Sequence, residues 1–243
     1  MLRKITIPLV NIRKEPSHKS ELISQLLFGE CFSVIQQQEE WIFILSNSDG
    51  YKGWIENRMD IFVESEVLIK SKIITSFLAT VQGSLNHQIK IPIGSLVDDS
   101  RYKISSGQYA EVLQIADAID CIAEQLDGSP YLWGGRTGFG IDCSGLSQLV
   151  YRFMGINLPR DADLQCQQGL DLFFGQQEEG DLLFYENSQG RIIHVAIVMN
   201  KERAIHASGF VRVDRYDEKG IYNETLKKYT HKFAFAKKII EPG

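Results

Sequence analysis

Asp142-Cys143-Ser144-Gly145-Leu146-Ser147-Gln148-Leu149-Val150-Tyr151-Arg152-Phe153-Met154-Gly155 sets a cysteine between a glycine-rich turn and an amphipathic run. Leu146, Leu149, Val150, Phe153 and Met154 recur at i, i+3, i+4, i+7 and i+8, the spacing of one helix face, and Gly155 with Pro159 shortly after supplies the stop. Cys143 therefore falls at a helix N-terminus. Unpaired N–H groups and the positive end of the helix dipole stabilise a thiolate there, lowering the thiol pKa from its free value of about 8.5. The pattern predicts an aimed, nucleophilic cysteine.

Downstream, Gly180-Asp181-Leu182-Leu183-Phe184-Tyr185 and His194-Val195-Ala196-Ile197-Val198-Met199 read as two strands, the second with the continuous apolar character of a strand covered on both faces. His194, at its start, is the candidate base. After the turn-like Asn200-Lys201-Glu202-Arg203 comes a third strand, Ala204-Ile205-His206-Ala207-Ser208. A hairpin with His194 opposite His206 puts both rings on one face, so that His206 fixes the tautomer of His194.

Tyr131-Leu132-Trp133-Gly134-Gly135, Asp142-Cys143-Ser144-Gly145, Leu158-Pro159-Arg160-Asp161, Gly180-Asp181-Leu182, His194-Val195-Ala196-Ile197 and Ile205-His206-Ala207-Ser208, in this order, resemble the NlpC/P60 family of papain-like cysteine peptidases. The resemblance runs from about Gln108 to the C-terminus. It implies an α+β papain-like domain, with the cysteine-bearing helix packed on an antiparallel sheet, and a Cys143–His194–His206 triad that cleaves the γ-D-glutamyl bond to a diamino acid, meso-diaminopimelate or L-lysine, in cell-wall muropeptides. It also implies an oxyanion site made of the Cys143 N–H and the Tyr131 hydroxyl. Asp142 and Ser144 then contact the peptide's N-terminal L-alanine, the carboxylate taking its ammonium group. Trp133 walls that pocket or anchors the core, and Arg160 and Asp161 shape the cleft or support it.

The other cysteines, Cys31, Cys121 and Cys166, have no comparable setting and read as small buried hydrophobes. His18, His87 and His231 sit in polar surroundings that suggest exposed surface or tails. With no CxxC or HxxxH pairing, neither a metal nor any other cofactor is expected.

The first sixty residues read differently. Short β-prone runs at Ile5–Val10, Leu22–Phe28, Cys31–Gln36, Trp41–Ser46 and Gly53–Glu56, separated by turn-rich segments, have the pattern of a small barrel. Asn11-Ile12-Arg13, Leu27-Phe28-Gly29-Glu30, Trp41-Ile42 and Asp49-Gly50-Tyr51-Lys52-Gly53-Trp54-Ile55 resemble a bacterial SH3 (SH3b) domain. In the NlpC/P60 enzymes that resemble this chain, the barrel closes one end of the active site through a tyrosine matching Tyr51 and an acid, here Glu21, with Glu30 and Glu15 as alternatives. The expected division is an SH3b domain over 1–63, a reduced second SH3b-like unit or a β linker over 64–107, and the peptidase domain over 108–243. A helix is expected within Gln108–Leu126, on the stripe Val112, Ile115, Ala116, Ile119 and Ile122.

A hydrophobic fraction of 44% suffices to build cores, while a formal net charge of −5 excludes the basic footprint of a nucleic-acid binder and electrostatic attachment to an anionic membrane or wall. Four cysteines without framework spacing point to a reducing compartment, and Pro8 interrupts the short early apolar patch, so a cytoplasmic enzyme acting on recycled murein peptides is expected. Two other readings fit the same fold: an N-acetylmuramoyl-L-alanine amidase or acyltransferase, or an inactive peptide-binding module.

Overall fold

Proline has no amide hydrogen to give to a β ladder, and at Pro8 the first apolar run breaks into β1 (Leu2–Ile5) and β2 (Leu9–Arg13) rather than forming one strand. The computed structural model describes residues 2–65, 71–83 and 87–239. The chain divides into two units, Met1–Val112 with Leu132–Gly140, and Leu113–Tyr131 with Ile141–Gly243.

In the first unit, β3 (Leu22–Leu27), β4 (Cys31–Gln38), β5 (Trp41–Ser46), β6 (Lys52–Glu56) and β7 (Phe62–Ser65) complete an antiparallel sheet of order β3-β2-β6-β5-β4-β1-β7. Alternation along β5 turns Ile42 and Ile44 inward to meet Ile5, Ile12, Leu26, Phe32, Ile55 and Phe62. Each such side chain contributes roughly 1.5–3 kcal/mol when fully buried. Because β7 pairs with β1, this sheet runs past residue 63.

The chain then forms β8 (Lys72–Ile74), β9 (Leu78–Gln82), β10 (Gln88–Pro92), β11 (Leu96–Val97), β12 (Lys103–Ser106) and β13 (Tyr109–Ala110). They make two three-stranded sheets, β10-β9-β12 and β11-β8-β13, around Ile74, Val81, Ile91, Val97 and Phe28. Val67–Lys70, within the β unit or linker expected over 64–107, lie outside the described residues.

Residues 132–140 also belong to this unit. Arg136 is buried and binds Glu30 with both terminal nitrogens, at 2.9 and 3.0 Å, while donating to the Gln25 carbonyl at 2.6 Å. Gly134 makes the approach possible: its φ is +77°, and a Cβ there would lie 2.7 Å from the Leu22 carbonyl oxygen.

In the second unit α1 spans Ile115–Leu126, shorter than the expected stripe because Tyr109 and Ala110 are taken up in pairing with β8. After a ribbon of β14 (Arg136–Thr137) and β15 (Gly140–Ile141), α2 occupies Cys143–Phe153 and ends at Gly155, whose φ of +80° closes it. Next come α3 (Ala162–Gln165), β16 (Leu170–Leu172), β17 (Leu182–Glu186), β18 (Ile192–Val198), β19 (Arg203–Ser208), β20 (Phe210–Asp217), β21 (Gly220–Asn223) and β22 (Lys228–Lys238).

The sheet order is β16-β22-β17-β18-β19-β20-β21, and an added β22–β21 pairing closes six strands into a barrel. Leu183, Tyr185, Ala196, Val198, Ala204, Tyr216 and Ile221 form its core on one face. Val195, Ile197, Ile205 and Ala207 are buried on the other, and α2 packs against β18 and β19. The class is α+β, a helix-on-sheet papain-like domain preceded by a small β-barrel. Among the described residues no helix is long and apolar enough to cross a membrane.

Candidate active site

Asp142 is the N-cap of α2, its carboxylate accepting the Gly145 N–H at 2.7 Å, so Cys143 is the first helical residue. Behind it Arg160, 1% exposed, donates to both oxygens of Asp142 at 2.9 and 2.6 Å and to Ser144 Oγ at 2.9 Å. Gln165 adds a second brace, donating to the Ser144 and Pro159 carbonyls and accepting from Ser147 Oγ. Asp142 and Ser144 are thus buried and engaged with Arg160 in holding the helix end. Asp161 starts α3.

Cys143 is itself buried, and the desolvation of a thiolate pushes its thiol up to about 12. The Asp142 carboxylate acts in the same direction, while N–H groups of Val195 and Ser144 and the charge of Arg160 oppose it. The expected thiolate therefore gives way to a neutral thiol: burial outweighs the helix end. The Val195 N–H brings this sulfur to the residue that follows His194. Tyr131, half-buried, lies near enough that Cys143 and Asp142 add to the rise that burial imposes on its phenol.

His194 Nε2 and His206 Nδ1 are 2.9 Å apart, yet the two are not cross-strand partners. The β18–β19 ladder pairs Ile197 with Ile205 and Val198 with Ala204, and His194 instead faces Tyr185 on β17. A turn in which Asn200 Oδ1 takes the N–H groups of Glu202 and Arg203 sets this register. Side chains still alternate with period two, so His194 shares a face with Ala196, and His206 with Ala204, and the rings meet on the diagonal.

Two further residues escaped the sequence reading. Asp214 on β20 lies 3.2 Å from His206 Nε2 and is paired with Arg212 (Nη2–Oδ1 2.9 Å). Its signal was an acid at an alternate position of Val211-Arg212-Val213-Asp214-Arg215-Tyr216. His231, read as surface or tail, stacks on His194 with ring centroids 4.1 Å apart and planes at 22°. It gets there because β22 pairs with both β21 and β17, and a register shift opposite Phe184 and Tyr185 alters the facing of that end. His18 lies on the first unit and His87 is exposed.

A carboxylate held below its ordinary range only accepts, so His206 carries its hydrogen on Nε2. Its Nδ1 then accepts from His194 Nε2–H, which leaves the lone pair on His194 Nδ1. Burial drives His194 and His206 below the ordinary imidazole value, and His231 to about 4, so all three rest neutral. One ring nitrogen from each lies within 4.8 Å of the others, a set able to hold a metal ion.

The residues expected from the first unit are placed as follows. Glu21 accepts from Trp133 Nε1 at 2.9 Å and pairs with Lys14 at 3.3 Å. Trp133 is 57% exposed, which does not suit a core anchor. Tyr51 precedes β6, its N–H on Asp49. Glu30 is 1% exposed and bound by Arg136, while Glu15 is on the surface.

A cysteine at a helix N-terminus against a closed antiparallel sheet bearing two histidines is the arrangement of a papain-like peptidase. The model for the NlpC/P60 family matches residues 128–230, and that for the bacterial dipeptidyl-peptidase Sh3 domain matches residues 12–58. A γ-D-glutamyl-L-lysine dipeptidyl-peptidase of Bacillus subtilis is 29% identical, over 76% of this chain and 71% of its own. Dipeptidyl-peptidase 6 of Lysinibacillus sphaericus is 24% identical, over 90% and 93%. A probable endopeptidase NlpC of Escherichia coli is 32% identical over 45% of this chain and 76% of its own. The crystal structure of an NlpC/P60 family protein from Bacillus cereus superposes with a TM-score of 0.78 at 18% identity, covering 98% of this chain and 99% of that one. The chain belongs to the NlpC/P60 family of cysteine peptidases and carries a bacterial SH3 domain at its N-terminal side.

Proposed function

We propose that this peptidase hydrolyses the γ-D-glutamyl–diamino acid bond of muropeptides bearing a free N-terminal L-alanine, releasing L-Ala-γ-D-Glu. The observation that carries the chemistry is the relay from His194 through His206 to Asp214, beside the buried Cys143, whose sulfur takes the N–H of Val195, the residue that follows His194. The substrate rests on the relatives, named for γ-D-glutamyl-L-lysine and dipeptidyl-peptidase activity. A dipeptidyl-peptidase removes an N-terminal dipeptide, so its substrates are released fragments, as in recycling, rather than intact wall.

Cys143 and His194 rest neutral, so the Sγ–H proton passes to His194 Nδ1 as sulfur attacks the γ-carbonyl carbon. The positive charge formed on His194 is shared with His206 and balanced by Asp214. The Cys143 N–H at the helix start and the Tyr131 hydroxyl donate to the oxyanion. Imidazolium His194 protonates the departing amine, and water then hydrolyses the thioester with His194 as base.

Incubation with L-Ala-γ-D-Glu-L-Lys, its diaminopimelate counterpart, the N-acetylated forms and a muramoyl peptide tests the proposal, with products identified by mass. L-Ala-γ-D-Glu from the free peptides alone is expected. Release of muramic acid would show an amidase, and no turnover of any of them would show a binding module.

A further inference from the structure

We propose that His194, His206 and His231 form a zinc site whose occupation switches the peptidase off. The inference goes beyond the peptidase reading and does not depend on which peptide is cut.

Three strands, β18, β19 and β22, deliver the rings, with one nitrogen of each inside a 4.8 Å span. Tetrahedral zinc with nitrogen bonds of about 2.0–2.1 Å needs ligand atoms about 3.3 Å apart. His194 Nε2 and His206 Nδ1, at 2.9 Å, have to part by a few tenths of an ångström, and His231 has to swing inward. His231 is the ring free to do so: it is only half-buried, on a strand whose neighbouring Thr230 and Lys232 are exposed.

The hydrogen-bond network already orients the ligands. Asp214 holds the hydrogen of His206 on Nε2 and turns Nδ1 toward the site, the carboxylate–histidine–metal pattern. Thr230 Oγ1 sits 2.9 Å from His231 Nδ1; with that nitrogen donating, Nε2 carries the lone pair. His194 Nε2 becomes a ligand when its hydrogen moves to Nδ1, so protons balance with none released. That move fills the lone pair that would receive the Cys143 proton, which is why the metal would inhibit. Three imidazole nitrogens suit zinc, whereas calcium and magnesium require oxygen donors.

The test is zinc binding by calorimetry in buffers of defined free zinc, on the wild type and on Cys143→Ala, His231→Phe and His231→Gln, with circular dichroism verifying each fold. His231→Phe keeps a ring on His194 while removing a ligand. We expect one zinc per chain, retained in Cys143→Ala and weakened at least tenfold in both His231 variants. Cobalt bound to the wild type should show tetrahedral visible bands without sulfur-to-metal charge transfer. Turnover, normalised to each protein's rate in chelator, should fall with zinc, return with EDTA, and resist at least tenfold more zinc in the His231 variants. Loss of binding in Cys143→Ala, unchanged affinity in both His231 variants, or no binding by the wild type would each overturn the site.

Discussion

The guanidinium of Arg160 donates to both carboxylate oxygens of Asp142, at 2.6 and 2.9 Å, both side chains sealed from solvent at the start of the cysteine-bearing helix. Removing one member strands a buried charge, which costs about 3–5 kcal/mol. Arg160→Met should therefore lower the urea midpoint of the second unit markedly, and Arg160→Lys should recover only part of the loss because an ammonium cannot make the paired contact. A midpoint within error of the wild type in Arg160→Met would show that the pair is not what holds this helix end.

Cys143→Ala should abolish hydrolysis while leaving the melting curve nearly intact, since alanine is well tolerated in a first helical turn. Because burial holds the thiol neutral, alkylation of the wild type by iodoacetamide should be slow at pH 7 and accelerate toward alkaline pH. EDTA should not reduce activity. Fast alkylation at pH 6 would indicate a preformed thiolate.

Asp214→Asn should lower kcat with little change in KM. An amide can donate to His206 Nε2, which reverses the tautomer and sets two N–H groups against each other between His206 and His194. The loss should stay below the ~10⁴-fold cost seen when the residue bonded directly to the base is changed in this way. His206→Asn or Gln should keep part of the activity that His206→Ala loses, and His194→Ala should lose most of all. Equal loss in every variant would mean that the relay does not divide the work in this order.

The pH dependence follows from burial. His194 is driven well below the ordinary imidazole value of 6.5, so the unprotonated base persists on acidification and the acid limb of kcat/KM should lie below pH 6.5. Stability should move the opposite way. Below pH 6.5 the unfolded chain takes up protons on these histidines while the folded chain does not, so stability falls with falling pH, for His231 across the window from 6.5 to about 4. Thermal melts from pH 7.5 to 4.5 should show the decline, and His231→Phe should flatten part of it. A melting temperature indifferent to His231 over that window would contradict its burial as a neutral ring.

Within the first unit, the Glu30–Arg136 pair should behave as a buried bridge between the barrel and residues 132–140. Glu30→Ala leaves Arg136 uncompensated and should destabilise the unit by about 3–5 kcal/mol, measured by denaturant unfolding. The double variant Glu30→Met with Arg136→Met should recover much of that loss. If the single variant unfolds like the wild type, the pair is not structural.

Local pattern alone determined the elements that carry the chemistry. A 3.6-residue stripe ending at Gly155 fixed α2 and put Cys143 at its head, and apolar runs fixed the strands of His194 and His206, because helix and strand periodicity are written in neighbouring side chains. Tertiary structure decided what those residues meet. Whether a thiol at a helix end ionises depends on how much water surrounds it, and the burial that raises Cys143 comes from chain distant in sequence. The hairpin register depended on the turn at Asn200, which keeps His194 from standing directly opposite His206 and lets the two rings meet on the diagonal. Asp214 and His231 joined the site through barrel closure and a register shift on β22, long-range pairings with no local signature. The same cause turned Asp142 inward: its spacing marks it as a residue beside the nucleophile, but only the fold brings Arg160 onto its carboxylate.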